Sequence, residues 1–243
     1  MRSLLLGIET GGDYVSVALS DPAVPGGRPV VRTDVYAPRD HARLLMRLVE
    51  AAFDLAGATP DDLTTVAVAV GPGAYSGIRV GIATALGLAS AAGTVALGIP
   101  SLRAAAFADA RAGDGLVVAA LPAGRGGVYV QPHAWPLGAR APVAAADPAR
   151  IDGSGAAAYL DGVARQLGEV PLVVGPGVSL MATPGSGRVR RLARAPAHVF
   201  AADVAALAQV ALEEGWHDGQ TMAVAPIYLR PAASPPGAAG AAR

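Results

Sequence analysis

Few residues of this chain are of a type and spacing that could do chemistry. The stretch Gly71-Pro72-Gly73-Ala74-Tyr75-Ser76-Gly77 follows an alternating apolar run over 63–70 and opens a long apolar segment. Glycines between a strand and a helix let backbone N–H groups face an anion, which makes Gly71 and Gly73 candidates for nucleotide binding. Their spacing is neither that of a P-loop nor that of a dinucleotide fingerprint, and Pro72 removes one donor. Glu9 and Thr10, in a predicted hairpin turn, complete the candidate set. The Glu9 carboxylate could hold a magnesium–nucleotide complex, although an exposed acid in a turn is more often simply solvated.

Other chemistries fall away by composition. The chain has no cysteine, lysine or asparagine. Thiolate nucleophiles, thiolate zinc sites, disulfides, Schiff bases and a complete phosphate-binding P-loop signature are therefore excluded. No Gly-x-Ser-x-Gly occurs, and the four histidines, at 41, 133, 198 and 217, show no ligand spacing. His41, near a helix start, reads as a capping or packing residue. The 19 basic and 19 acidic residues balance, so no net field draws the chain to nucleic acid or to an anionic membrane.

The elements that must position these residues follow from periodicity and turn chemistry. Leu4–Ile8 and Tyr14–Leu19 read as a hairpin, Val30–Tyr36 as a third strand, and Asp40 as the N-cap of a helix reaching Leu55. Strand Thr65–Val70, the glycine turn, a helix from about Ser76 to Ala92 and strand Thr94–Leu97 follow. The order βββαβαβ predicts an α/β protein with a mixed sheet. Beyond it come helix Ser101–Asp109, strands Gly115–Leu121 and Gly127–Gln131, an irregular Pro/Ala-rich stretch over 132–153, helix Ala156–Leu167 and strand Val170–Val174. A strand or loop at Val189–Ala193 and helix Ala201–Gly215 complete the series. The Pro/Ala/Gly/Ser tail over 231–243 is expected to be disordered. The apolar stretch Ile78–Pro100 carries Arg79 and the breaker Gly93, and the N-terminal apolar run is short. A cytoplasmic protein with no membrane span is expected.

The two helices of the first half are more apolar than one sheet requires. Arg43, Arg47, Glu50 and Asp54 form a narrow polar stripe on the first, and no charged residue lies between Arg79 and Arg103 on or after the second. Small residues repeat every fourth position along Gly77, Gly81, Ala85 and Ala89, and again along Ala83, Gly87 and Ala91. Such ladders admit close helix approach, so both faces of the second helix are expected to be buried, one on the sheet and one on a partner.

Taken in order, Leu6-Gly7-Ile8-Glu9-Thr10, Ser16-Val17-Ala18-Leu19, His41 with Leu44-Leu45, Val70-Gly71-Pro72-Gly73-Ala74-Tyr75-Ser76-Gly77-Ile78-Arg79-Val80-Gly81, and Pro226-Ile227-Tyr228-Leu229-Arg230 resemble the TsaB (YeaZ) family. The match is ordered over residues 1–107 and thinner beyond. It implies an actin, sugar kinase and heat-shock ATPase-like fold: two ribonuclease-H-like lobes with mixed sheets, the second degenerate. Residues 1–100 would form the first lobe and 101–230 the second, with the last helix packing back on the first.

The resemblance further implies a non-catalytic scaffold that binds and activates TsaD in forming N6-threonylcarbamoyladenosine (t6A) beside the anticodon of tRNA. TsaE joins such assemblies, tRNA is reached through the complex, and the chain alone would be a homodimer that gives way to a heterodimer. No intrinsic cofactor or metal is implied, with ATP or ADP placed at the interface of the complex. The family pairs through its first two helices, so the implied interface takes in His41, Leu44, Leu45, Leu48, Ala52, Ser76, Gly77, Arg79, Gly81, Ile82, Ala85, Leu86 and Ala89. In this reading Gly71 and Gly73 shape the turn, Ser76 caps the helix, and Gly77, Gly81 and Ala85 permit the close approach. The chain departs from the family pattern at Pro122, Gly124 and Gly127, where aspartate, arginine and glutamate are usual. The alternative reading is a nucleotide-binding phosphotransferase or ATPase of the same superfamily, using Glu9 and the glycine turn.

Overall fold

Along residues 66–70 valine alternates with alanine, and the two sets enter different layers: Val66, Val68 and Val70 join one buried cluster, Ala67 and Ala69 another. That alternation marks a strand covered on both faces, with bulk on one side and room for a close helix on the other. The structure, a computed structural model, describes residues 2–24, 29–110, 113–182, 190–191, 198–216 and 223–229. The tail expected to be disordered, 231–243, lies outside them, as do Arg230 and His217.

The strands are β1 Leu4–Glu9, β2 Tyr14–Ser20, β3 Pro29–Tyr36, β4 Leu63–Gly71, β5 Val95–Pro100, β6 Gly115–Pro122, β7 Gly127–Trp135, β8 Val143–Ala144, β9 Ala149–Asp152, β10 Leu172–Val174 and β11 Arg190–Arg191. The helices are α1 His41–Ala56, α2 Tyr75–Ala92, α3 Ser101–Asp109, α4 Ala156–Leu167 and α5 Ala201–Glu214. The first sheet runs β3-β2-β1-β4-β5 and the second β11-β10-β6-β7-β8, with β9 also pairing β7. Both are mixed: β1 pairs β2 antiparallel and β4 parallel, and β6 pairs β7 antiparallel and β10 parallel.

Three buried clusters order these elements into layers. On one face of the first sheet Leu4, Leu6, Ile8 and the β4 valines meet Leu45, Val49 and Phe53 of α1 and Ile78, Ile82 and Ala85 of α2. On its other face Leu5, Ala67, Ala69 and Ile99 meet α3 and α5, which also touch Val117, Ala119 and Leu121 of β6. The far face of the second sheet, Leu116, Val118 and Val130, is covered by Ala156, Leu160 and Val163 of α4. Two helices are thus held between two sheets. The close approach of α5 is recorded at Gly7, where a side chain would strike the Ala201 carbonyl.

Several expectations change. The stretch 132–153 is not wholly irregular, because β7 continues to Trp135 and β8 and β9 pair with it. Asp40 stands at the start of α1 but makes no side-chain cap; its carboxylate pairs with Arg43 at 2.9 Å instead. Ser76 does not cap α2, which begins one residue earlier with Ala74 at the N-cap position. Of the expected strand 189–193, Arg190–Arg191 is described, pairing with β10. Among the described residues, no helix is long and apolar enough to cross a membrane.

Candidate functional site

The glycine turn and the 9–13 turn are built on each other. Ala74 N donates to Gly11 O at 2.8 Å, and Thr10 Oγ1 donates to Gly77 O at 2.8 Å. Gly11 N donates to Glu9 Oε1 at 2.8 Å, His41 Nε2 lies 2.9 Å from Gly12 O, and Gly71 N donates to Ser101 Oγ at 3.1 Å. A Cβ at Gly73 would strike Gly11 O, one at Gly77 would strike Thr10 O, and one at Gly81 would strike Thr10 Oγ1. These glycines are therefore required by the chain's own backbone. Gly71, with φ near 99° next to a cis bond to Pro72, holds the left-handed conformation that glycine alone adopts freely.

Glu9 ends a fully buried strand and is 3% exposed, so the expectation of a solvated turn acid is corrected. Burial, only partly offset by the N–H groups of Gly11 and Gly12, pushes its carboxyl up to about 7. Asp203 in the first turn of α5 behaves alike: burial lifts it to about 6 although it accepts from Phe200 N at 2.9 Å. Nothing in the sequence near position 203 announced this, since only the packing of α5 on the first sheet removes water from it.

The candidate interface residues divide by environment. His41, Leu45, Ala52, Ile82, Ala85 and Ala89 are buried within the chain, and Gly77 and Gly81 lie against the Glu9–Thr10 strand end. The expectation that Gly77, Gly81 and Ala85 admit a partner is corrected: their face of α2 is spent on the chain's own sheet. Leu44 and Leu48 are half-buried, while Ser76, Arg79 and Leu86 are exposed, Leu86 at 47%. The second ladder, Ala83, Gly87 and Ala91, faces outward, and a Cβ at Gly87 would meet nothing within 4 Å. The expectation that both faces of α2 are buried holds, within this chain, for one.

The segment 223–229 returns to the glycine turn. Ile227 N donates to Val70 O at 2.8 Å, the Ile227 carbonyl lies where a side chain at 71 would stand, and Gly98 makes room for Ala223 O. Tyr228 stacks on Tyr75 at 4.8 Å between centroids, and Arg79 Nη1 donates to the Tyr75 hydroxyl at 2.7 Å. Packing against the turn thus accounts for Ile227 and Tyr228 of the last sequence motif.

Between the sheets lies a cleft of about 540 Å³. Glu9, Gly11 to Tyr14, Pro72 to Tyr75 and Ser101 line one side; Leu121 to Gly124, Tyr129 and Pro176 line the other, with His198 and Val199 at its flank. The departures at Pro122 and Gly124 are therefore in the cleft wall, opposite the glycine turn. At Gly127 the Arg150 side chain occupies the space a Cβ would take. Tyr14, Tyr129 and His198 reach this wall from three distant parts of the chain and carried no local signal. Of the other histidines, His133 is buried and held down to about 3 by desolvation, with Nε2 unpaired. No group of three or more candidate metal ligands occurs among the described residues.

Comparison with known proteins adds relatives to this geometry. Residues 35–136 match the TsaD family, described as tRNA N6-adenosine threonylcarbamoyltransferase. The tRNA threonylcarbamoyladenosine biosynthesis protein TsaB of Escherichia coli K12 is 30% identical over 126 residues, 51% of this chain and 52% of that protein. TsaB of Bacillus subtilis 168 is 34% identical over 94 residues, 39% of this chain and 41% of that one. The tRNA N6-adenosine threonylcarbamoyltransferase of Solidesulfovibrio magneticus is 36% identical over 116 residues, 42% of this chain and 30% of its own length. The matched region thus spans between about a third and a half of these curated relatives. In three dimensions the likeness extends further: YeaZ from Pseudomonas aeruginosa superposes with a TM-score of 0.71 at 27% identity, covering 93% of this chain and 100% of that one.

Proposed function

From the kinship of this chain with the TsaB (YeaZ) proteins, present in both sequence and fold, we propose that it is a non-catalytic scaffold subunit in the synthesis of t6A on tRNA. Its partner in this reading is a TsaD protein, bound through the outward side of α1 and α2. The observation that carries the proposal is Gly87. An interior helix glycine costs about 0.5–1 kcal/mol relative to alanine, and nothing among the described residues fills the space. A second helix laid along Ala83, Gly87 and Ala91 would use it, with exposed Leu86 and Met46 at hand for burial.

The reading keeps the two-lobed, actin-like organisation, with residues 1–100 and 101–230 as lobes and α5 bridging to the first. It places the chain in the cytoplasm, as a homodimer when alone, with TsaE and tRNA reached through the complex. An adenine nucleotide of the assembly belongs to its interface rather than to this chain's cleft. The phosphotransferase alternative gains no support there, because Thr10 Oγ1 and Glu9 Oε1 are engaged by the chain's own backbone.

Size-exclusion chromatography with light scattering, on this chain alone and mixed with TsaD from the same genome, tests the proposal. A one-to-one heterodimer that displaces the homodimer is the expected result. No complex, even with ATP and TsaE present, overturns it.

A further inference from the structure

The cleft has a chemistry of its own. Most of its wall is carbon, from Pro72, Ala74, Leu121, Pro122, Pro176 and Val199, and Tyr14, Tyr75, Tyr129 and His198 add four rings. Its acidic groups are the carboxyls of Glu9 and Asp13; no arginine is among the described residues that line it, and the chain contains no lysine. A polyphosphate would meet the Asp13 carboxylate, of its own sign, and no cation among the described lining residues to offset its lost hydration. A cation would meet the Asp13 carboxylate and aromatic side chains, both attractive partners.

The rings are also held in place before any ligand arrives. Tyr14 packs against Tyr36, His198 and Phe200, with centroids 5.5, 4.7 and 5.4 Å away, and Tyr75 is stacked on Tyr228. Preset walls reduce the ordering penalty of binding. We propose that this cleft binds a small organic cation, a primary amine or guanidinium on an apolar body, with Asp13 at the mouth as its counter-charge, the Glu9 carboxyl at the floor and the tyrosine rings as flanking walls. The cleft is separate from Gly87 and the outward face of α2, so occupancy and partner binding are independently measurable.

Calorimetric titration of the full chain with 2-phenylethylamine, with its neutral counterpart 2-phenylethanol and with Mg²⁺·ATP tests the assignment. The amine should bind about tenfold more tightly than the alcohol, the scale of one cation–π contact with a partly screened charge. Asp13→Asn should collapse that preference, and Ala123→Arg, which adds a cation to the wall, should abolish amine binding while thermal unfolding shows both variants folded. Failure of the amine to bind, equal affinity for amine and alcohol, an unchanged preference in Asp13→Asn, or tighter binding of Mg²⁺·ATP would each overturn it.

Discussion

The two faces of α2 carry the same kind of residue for different reasons. On the inner face, Gly77 and Gly81 have no space for a side chain, because the carbonyl and hydroxyl of Thr10 already stand there. On the outer face Gly87 has open space around it and yet remains glycine. A small residue under backbone contact is explained by its own chain; a small residue facing open space leaves room that a second molecule could use. The periodicity of four is identical on both faces, so only the contacts separate the two cases.

The largest effect should come from the inner face. Gly77→Val drives a branched side chain into the Thr10 carbonyl, and a loss of ~3 kcal/mol is expected from such overpacking. Chemical denaturation checks it, and a variant of native stability would show that the turn is looser than described. On the outer face, Gly87→Trp should leave the unfolding midpoint of the isolated chain nearly unchanged and weaken the proposed TsaD binding at least about tenfold, the scale of overpacking at a close helix contact. Unchanged affinity, measured by light scattering or calorimetry, would remove α2's outer face from the interface.

The turn under the inner face also gives a pH signature. Glu9 lies near 7 and Asp203 near 6 when folded, against ordinary values of 4.5 and 3.8, so the folded chain keeps protons that the unfolded chain releases. Stability is therefore greatest below about pH 3.8 as far as these two groups act, and their contribution falls as pH rises to 7, by on the order of 2–3 kcal/mol for Glu9. Unfolding curves at pH 5 and 8 should show the fall, and Glu9→Gln should flatten most of it while Asp203 leaves the rest. An identical slope in the variant would mean that Glu9 is not the buried acid responsible. The smallest effect is Gly87→Ala, which should stabilise the isolated chain by about 0.5–1 kcal/mol; a destabilised variant would reveal a contact at that position.

Much of the fold was legible because each first-half element has a local pattern. The apolar runs of β1 and β2, the alternation in β4, the narrow polar stripe of α1 and the glycine turn after β4 place these elements within a residue or two. The misplaced features were those with no local code. Ser76 reads as a cap until the backbone puts Ala74 there, and the short β8 and β9 exist only because β7 offers them an edge. Glu9 was legible as a candidate but not as a buried one, since its environment is made by Gly11, Gly12 and the distant Asp203.

By itself the sequence determined the alternation of strands and helices, the absence of thiol and lysine chemistry, and the ordered motifs that tie the chain to its relatives. These are properties of residue type and spacing, and they need no distant contact. The tertiary structure decided which small-residue ladder is spent internally, how deeply Glu9 is buried, and that Tyr14, Tyr129 and His198 line one cleft. Each depends on which surfaces exclude water together, and burial is set by neighbours far away in the chain rather than by the residue that is buried.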